Sequence, residues 1–170
     1  YLGLNDPLFL VTQFACGWLG AIFVPLNFRL TGPELAFILN DAGVHTLFAD
    51  EDYAGLIDEA RPTLECQRYL RRTDAPGWEG LSSRMAQADA ALPPVPTDPD
   101  DIAAIMYTSG TTGHPKGAML THGNFWANNL NVMMLSDLAS TDVALNFAPL
   151  FHVGGMCCVS LPILMAGGYE

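Results

Sequence analysis

Positive charge is scarce in this sequence. It contains 7 Lys and Arg residues against 18 Asp and Glu residues, which gives a formal net charge of −11. Nucleic-acid-binding domains need clustered basic residues to neutralise phosphates, so this balance argues against that class. Five of the seven cations lie between Arg61 and Arg84, and Lys116 is both the only lysine and the only cation after Arg84. An anion bound by the C-terminal half must therefore be held by Lys116, by backbone N–H groups and by hydroxyls.

The sequence also lacks cysteine patterns and targeting signals. Its four cysteines, Cys16, Cys66, Cys157 and Cys158, form no C-x-x-C pair and no zinc-type spacing with histidine. We interpret them as buried thiols in a reducing compartment. No charged n-region or small-residue cleavage site precedes the first apolar run, so a signal peptide is not expected. These absences predict a cytoplasmic location. The chain begins at Tyr1 rather than at methionine, and we expect it to be a piece of a longer protein.

Two long hydrophobic stretches do not have the pattern of membrane spans. Prolines, glycines and polar residues interrupt residues 7–26 and 145–166, and no basic cluster flanks the first stretch. We therefore expect no transmembrane segment, while peripheral membrane contact of a longer protein and the oligomeric state stay open. Half of the residues are hydrophobic and only 15% are charged, which predicts a packed domain rather than a disordered chain.

Helical and strand patterns alternate along the first half of the chain. Asp6 is a good N-cap for a helix that starts at Pro7, and Thr31 with Glu34 forms a capping box for a second helix that Gly43 ends. Strands are expected over residues 22–26, 44–49 and 66–70, and a further helix over residues 77–88. This alternation predicts an α/β fold of α/β/α layers with a largely parallel sheet.

A connector rich in proline and aspartate divides the chain. Residues 93–101 contain four prolines and three aspartates, a composition typical of a stiff extended segment. It separates an α/β region, residues 1–92, from residues 102–170, which carry the chemistry. We treat the whole of residues 1–170 as part of one domain.

The second region opens with a strand that leads into a loop of glycines and hydroxyls. Residues 102–107 form a continuous apolar run, typical of a strand buried on both faces. Glycines let backbone N–H groups converge on an anion, hydroxyls add neutral donors, and Lys116 adds one positive charge. The proposed anion-binding residues are Thr108, Ser109, Gly110, Thr111, Thr112, Gly113 and Lys116. A strand over residues 118–120 and a helix capped by Thr121 should follow, with Trp126, Leu130, Met133 and Met134 facing inward.

This loop differs from the common P-loop. That pattern requires a glycine before its lysine, a hydroxyl after it and then a helix at once, whereas Pro115 precedes Lys116 and Gly117 follows it. A phosphotransferase with an atypical loop is one alternative and predicts ADP as the product. A flexible surface turn is the second alternative, but the strand-loop-lysine arrangement specifies many positions at once and disfavours it.

Residues 107–117, Y-T-S-G-T-T-G-H-P-K-G, closely resemble the phosphate-loop signature of the adenylate-forming superfamily. This superfamily comprises acyl-CoA synthetases, firefly-type luciferases and the adenylation domains of peptide synthetases. Residues 21–30 are similar to its upstream segment and residues 148–155, A-P-L-F-H-V-G-G, to its next motif. The resemblance covers most of the chain in the expected order and is greatest to fatty- or aryl-acid CoA ligases.

The resemblance implies an activity, its cofactors and an incomplete N-terminal domain. The acid attacks the α-phosphorus of ATP, pyrophosphate leaves, and the acyl-adenylate passes its acyl group to coenzyme A. Thr108, the five residues that follow it and Lys116 would hold the β- and γ-phosphates with Mg²⁺. No protein metal ligand is assigned, because residues 102–136 contain no acid. The metal-side glutamate, ribose-binding aspartate, hinge and second catalytic lysine of the family lie further along, so this chain alone should not turn over. A non-catalytic nucleotide-binding fragment is the remaining alternative.

The resemblance also places the acid substrate beside Phe151, His152, Gly154 and Gly155. His152 would act near the reacting carboxylate, although a lone histidine beside Phe151 in an apolar stretch is more commonly a satisfied core residue. Amino-acid-activating relatives usually carry an aspartate in this motif to pair with the α-amine. Phe151 and His152 offer no carboxylate, which favours an acid without an α-amino group, and aliphatic and aromatic acids both stay open.

Two further sets of residues allow two interpretations each. Arg68, Arg71 and Arg72 form either a solvated basic face or contacts to the phosphates of coenzyme A, and we favour the first. The methionines are interpreted as core filling, with a flexible acyl tunnel as the alternative. They are Met106, Met119, Met133, Met134 and Met156.

Overall fold

The computed structural model describes residues 1–88, 92–108 and 114–170 and is a mixed α/β structure. The helices, in chain order, are α1 (Pro7–Trp18), α2 (Gly32–Asp41), α3 (Glu51–Ala60), α4 (Leu81–Gln87), α5 (His122–Ser136), α6 (Val153–Gly155) and α7 (Leu161–Met165). A 3₁₀ turn spans Arg61–Thr63, and a π-helix, Met156–Ser160, joins α6 to α7. The strands are β1 (Thr46–Phe48), β2 (Arg68–Arg71), β3 (Glu79–Gly80), β4 (Ile102–Thr108) and β5 (Lys116–Thr121).

The predicted parallel sheet is present. Strands β1, β2 and β3 lie side by side in that order and all run parallel, with Leu47 opposite Tyr69. Helix α2 covers this sheet with Leu35, Ile38 and Leu39, which are at most 2% exposed. The capping box of Thr31 and Glu34 is formed as predicted. The α/β fold class is therefore confirmed.

Strands β4 and β5 form a separate antiparallel hairpin. Ala104 and Met106 are buried on one face of β4, while Ile105 and Tyr107 on the other face are only half-buried, so the predicted burial on both faces is complete on one face alone. The run of apolar residues is continuous because the hairpin lies between two cores. Ile105 and Tyr107 pack against the core beneath the parallel sheet, while Ala104 and Met106 belong to a second core around Phe9.

Two other predictions of local structure fail. Residues 22–26 are not a strand, because Phe23 and Leu26 each make only isolated bridges, to Ala104 and Leu2. On α5, Trp126 is 60% exposed and Met134 is 82% exposed, so the inward face expected from the helical spacing is wrong. Spacing shows which side chains share a helix face, but it does not show whether that face meets a core within this chain.

The methionines and cysteines also divide between core and surface. Met106 and Met156 are buried, but Met119 is 64% exposed, so core filling does not hold for all the methionines. All four cysteines are free, and Cys158 is exposed, against the prediction of a buried thiol. Burial raises the pKa of the Cys157 thiol to about 11. No helix in the described ranges has the length and hydropathy of a membrane-spanning segment.

Candidate functional site

A cavity of about 810 Å³ lies where the hairpin meets α2 and residues 151–153. Its volume suits a small organic ligand. Its lining is mostly apolar and comes from four parts of the chain: Pro25, Asn27, Leu30, Pro33, Glu34, Phe37, Ile38, Met106, Tyr107, Thr108, His114, Pro115, Ala118, Leu120, Phe151, His152 and Val153. The cavity therefore brings both flanks of the predicted phosphate loop together with Phe151 and His152, two of the four predicted acid-binding residues.

The hairpin fixes the direction of Lys116. Thr108 and Lys116 are directly opposite each other across β4 and β5, as are Met106 and Ala118. Because strand side chains alternate, these four residues share one face of the hairpin. Thr108, Met106 and Ala118 line the cavity, so Lys116 belongs to the face that borders it. Lys116 itself is exposed and is not among the lining residues. The other predicted phosphate-binding residues, 109–113, lie outside the described residues.

A hydrogen bond from a backbone N–H two residues further along holds the His152 ring in one orientation. The N–H of Gly154 donates to its Nδ1 at 3.1 Å, so the ring serves as the N-cap of α6. In the neutral ring Nδ1 must be unprotonated to accept this hydrogen bond, so the proton lies on Nε2. His152 is exposed and lines the cavity, so it is not a buried core histidine. The Nε2–H is thus the second polar group of the ring, and it has no hydrogen-bond partner among the described residues.

The neighbours of His152 have different roles. Phe151 lines the cavity, and its ring meets that of Phe28 edge-on at a centroid distance of 5.3 Å. Gly155 is buried, and a Cβ placed on it would lie 2.7 Å from the carbonyl carbon of Pro149. Gly154 has more room, since its nearest neighbour would be the Nδ1 of His152 at 3.4 Å. Neither glycine lines the cavity.

Asn5 holds the segment before Phe151 and was missed by the sequence analysis. Its side-chain amide donates to the carbonyl of Ala148 and accepts from the N–H of Leu150, both at 2.9 Å. Asn146 supports the same segment from inside, because its Oδ1 accepts from the N–H of Ala148 at 3.0 Å. No sequence signal links Asn5 to residues more than 140 positions away.

The described residues do not fit a complete Mg²⁺ site. Glu34 is the only carboxylate in the lining, and its Oε2 accepts from both the N–H and the hydroxyl of Thr31. These hydrogen bonds lower the pKa of the Glu34 carboxyl, with the backbone donor as the larger cause. No group of three His, Cys, Asp or Glu side chains within residues 1–88, 92–108 and 114–170 could hold a metal ion. We therefore assign no Mg²⁺ ligand and no step to the metal.

The basic residues of β2 and the adjoining turn are engaged in ion pairs. Arg68 contacts Glu79 at 2.9 Å, and Arg71 contacts Glu51 at 3.6 Å. Arg72 bridges Asp6 and Asp50 at 2.9 and 3.3 Å. Asp6 and Asp50 precede α1 and α3, so Arg72 joins two helix starts. These contacts favour a structural role over binding to phosphates of coenzyme A.

Comparisons with known proteins show the family of this chain. The pattern of the AMP-binding enzyme family matches residues 2–169. The chain is 47% identical over 168 residues to a feruloyl-CoA synthase of Amycolatopsis sp and 42% identical over 170 residues to an indoleacetate–CoA ligase of Aromatoleum aromaticum. These matches cover 99% and 98% of this chain but 32% and 33% of the relatives.

A solved structure extends the agreement to the fold. The crystal structure of a long-chain-fatty-acid-CoA ligase from Archaeoglobus fulgidus superposes with a TM-score of 0.87 at 29% identity. The match covers 98% of this chain and 33% of that one, so the chain spans about a third of the length of its relatives. With the family pattern matched along almost all of its residues, this chain belongs to the AMP-binding enzyme family.

Proposed function

We propose that the full-length polypeptide carrying this chain is an AMP-forming acid–CoA ligase. A carboxylate oxygen attacks the α-phosphorus of ATP, the bond to the bridging β-phosphate oxygen breaks, and pyrophosphate leaves. The thiol of coenzyme A then attacks the acyl carbon of the adenylate, and AMP leaves. The observation that carries the proposal is the single cavity bordered by Thr108 and His114 on one side and by Phe151 and His152 on the other.

We assign phosphate binding to the end of the hairpin. Thr108 offers a hydroxyl and Lys116 an ammonium group, and residues 109–113 join them in this role as a sequence-based proposal. Negative charge builds on the pyrophosphate as it leaves, and a preorganised cation stabilises that charge more in the transition state than in bound ATP. Lys116 is suited to this role because it is the only cation after Arg84 in the chain.

We assign orientation of the acid to His152. Its Nε2–H is free to donate to the substrate carboxylate, since Nδ1 already accepts from Gly154. The surrounding wall is apolar, with Phe37 and Phe151 among its residues. Apolar walls that contain aromatic rings suit an aromatic acid without an α-amino group. The two relatives above act, by their names, on ferulate and indoleacetate, which supports an aromatic acid over a fatty acid.

Acid-dependent ATP–pyrophosphate exchange by the full-length polypeptide tests the function. Ferulate and indoleacetate are expected to support exchange and AMP formation, palmitate to support less, and phenylalanine none. Addition of coenzyme A should yield the thioester. Formation of ADP instead would favour the phosphotransferase, and exchange with phenylalanine would contradict the assignment of His152. The isolated 170-residue chain is expected to give no exchange.

Changing His152 separates its proposed substrate role from its capping role. Asparagine can still accept from the N–H of Gly154 but lacks the Nε2 donor, whereas alanine lacks both. Both His152→Asn and His152→Ala are expected to raise KM for the acid about 10-fold, the size of one lost hydrogen bond to a charged group. Only His152→Ala should also lower the thermal midpoint. Steady-state kinetics with the acid varied and ATP saturating, together with thermal unfolding, check this. An unchanged KM for the acid in His152→Asn would refute the role.

A further inference from the structure

Helix α2 contacts both flanks of the hairpin end through side chains. The hydroxyl of Tyr107 donates to Oδ2 of Asp41, the last residue of α2, at 2.5 Å. The ring of Phe37 stacks on the ring of His114 at a centroid distance of 5.2 Å and an interplanar angle of 28°. Tyr107 precedes Thr108 and His114 lies two residues before Lys116. The two contacts therefore lie on either side of the Thr108–Lys116 pair along the hairpin.

The two α2 residues form one surface. Phe37 and Asp41 are four positions apart, so they lie on the same side of the helix, one turn from each other. The helix is a firm support, because Leu35, Ile38 and Leu39 are buried in the core and the Thr31–Glu34 capping box closes its start. Partial burial and the hydrogen bond to Asp41 both raise the pKa of the Tyr107 phenol, so this group is protonated and able to donate at neutral pH.

The middle of β4 is held differently, by backbone hydrogen bonds. The N–H of Ile105 donates to the carbonyl of Phe23, and the N–H of Phe23 donates to the carbonyl of Ala103, both at 3.0 Å. These backbone bonds fix β4 near its middle, several residues before Thr108. A two-stranded hairpin is marginal by itself, so the orientation of its end depends on the side chains that contact it. Gly117 allows the Tyr107 ring to lie against β5, since a Cβ at residue 117 would lie 3.1 Å from that ring.

We propose that Asp41 and Phe37 are positioning residues, through which α2 holds the end of the β4–β5 hairpin so that Thr108 and Lys116 meet the triphosphate of ATP. Neither residue needs to touch the nucleotide. Asp41 acts through Tyr107, and Phe37 acts through His114. This inference rests on the proposed function for the identity of the ligand, while the contacts themselves do not depend on it.

A double-mutant cycle in the full-length polypeptide tests the Asp41 contact. Tyr107→Phe and Asp41→Ala are each expected to raise KM for ATP three- to ten-fold, with KM for the acid unchanged. The double variant should match the single variants, because both changes remove one hydrogen bond. Asp41→Asn should restore most of the affinity, since its amide oxygen still accepts from Tyr107. Phe37→Leu should raise KM for ATP over the same range, and its KM for the acid should change as well because Phe37 also lines the proposed acid site.

Asp58→Ala is the matched control for Asp41→Ala, because it also removes one acceptor. Asp58 also accepts from an aromatic side chain, the Nε1–H of Trp78 at 2.9 Å, but it lies on α3 and does not line the cavity. It should leave KM for ATP unchanged. The inference is overturned if KM for ATP does not change in Tyr107→Phe and Asp41→Ala, if their effects add in the double variant, or if Asp58→Ala has an equal effect.

A second measurement does not depend on catalysis. Cleavage by a lysine-specific protease after Lys116 requires the start of β5 to separate from β4. Tyr107→Phe and Asp41→Ala are expected to speed cleavage at this bond three- to ten-fold, as followed by mass spectrometry, while Asp58→Ala does not. If the wild-type polypeptide gives no pyrophosphate exchange, the proposed function fails, and this cleavage rate still decides whether α2 holds the hairpin end. Equal cleavage rates in wild type and variants would overturn the inference.

Discussion

Replacing Lys116 with alanine is expected to reduce acid-dependent ATP–pyrophosphate exchange by about 10²–10³-fold, the usual cost of removing one electrostatic partner of a developing anion. The effect should be large because Lys116 is the only Lys or Arg between Arg84 and residue 170, so this part of the polypeptide offers no second cation in its place. The loss is expected mainly in kcat, since the charge on pyrophosphate is greater in the transition state than in bound ATP. Initial rates of exchange with ferulate, at several ATP concentrations, measure it.

Two further variants make this result specific. Lys116→Arg keeps the positive charge and should retain more activity than Lys116→Ala. Arg84→Ala also removes an exposed cation, but Arg84 pairs with Glu79 and does not line the cavity, so exchange should be near the wild-type rate. Exchange by Lys116→Ala within three-fold of wild type would refute the assignment of phosphate binding to this residue.

The second large effect is expected on stability, from Gly155→Val. A Cβ at this position would lie 2.7 Å from the carbonyl carbon of Pro149 and 2.8 Å from the carbonyl oxygen of Ala148. Both are backbone atoms, which cannot rotate away as a side chain can. The backbone before Phe151 must therefore shift, and we expect a loss of about 3 kcal/mol in the free energy of unfolding, at the upper end for overpacking in a core. Urea denaturation of the full-length polypeptide measures this loss.

The adjacent glycine provides the control. A Cβ at Gly154 would meet only the His152 ring, at an ordinary contact distance of 3.4 Å. Gly154→Ala should therefore leave the free energy of unfolding within about 0.5 kcal/mol of wild type, the usual range for a substitution that meets no clash. Equal stability of Gly155→Val and Gly154→Ala would contradict the proposed packing.

Features fixed by neighbouring residues were predictable from the sequence. The cap of α5 is one example, because Thr121 accepts from the N–H of Asn124, only three positions away. The fold class was also predictable, since alternating helices and short apolar runs favour a parallel sheet. The antiparallel pairing of β4 with β5 was not predictable from the sequence, because apolar runs alone do not reveal the direction of a partner strand.

Contacts between distant residues were not predictable. Asn5 reaches Ala148 across 143 positions, and Tyr107 reaches Asp41 across 66. Such contacts depend on how the elements pack, and a single polar residue at a helix end carries no sign of its partner. The loop motif therefore led to the region of the site, and the structure was needed to find the residues that support it.

The register of the hairpin has a consequence for engineering the nucleotide site. Thr108 and Lys116 are cross-strand partners, so inserting or removing residues between them leaves the paired strands as they are. Deleting one residue inside β5 instead reverses the alternation of every side chain that precedes the deletion along that strand. A library that varies only the number of residues between Thr108 and Lys116 thus changes the connection while these two residues keep their cross-strand pairing.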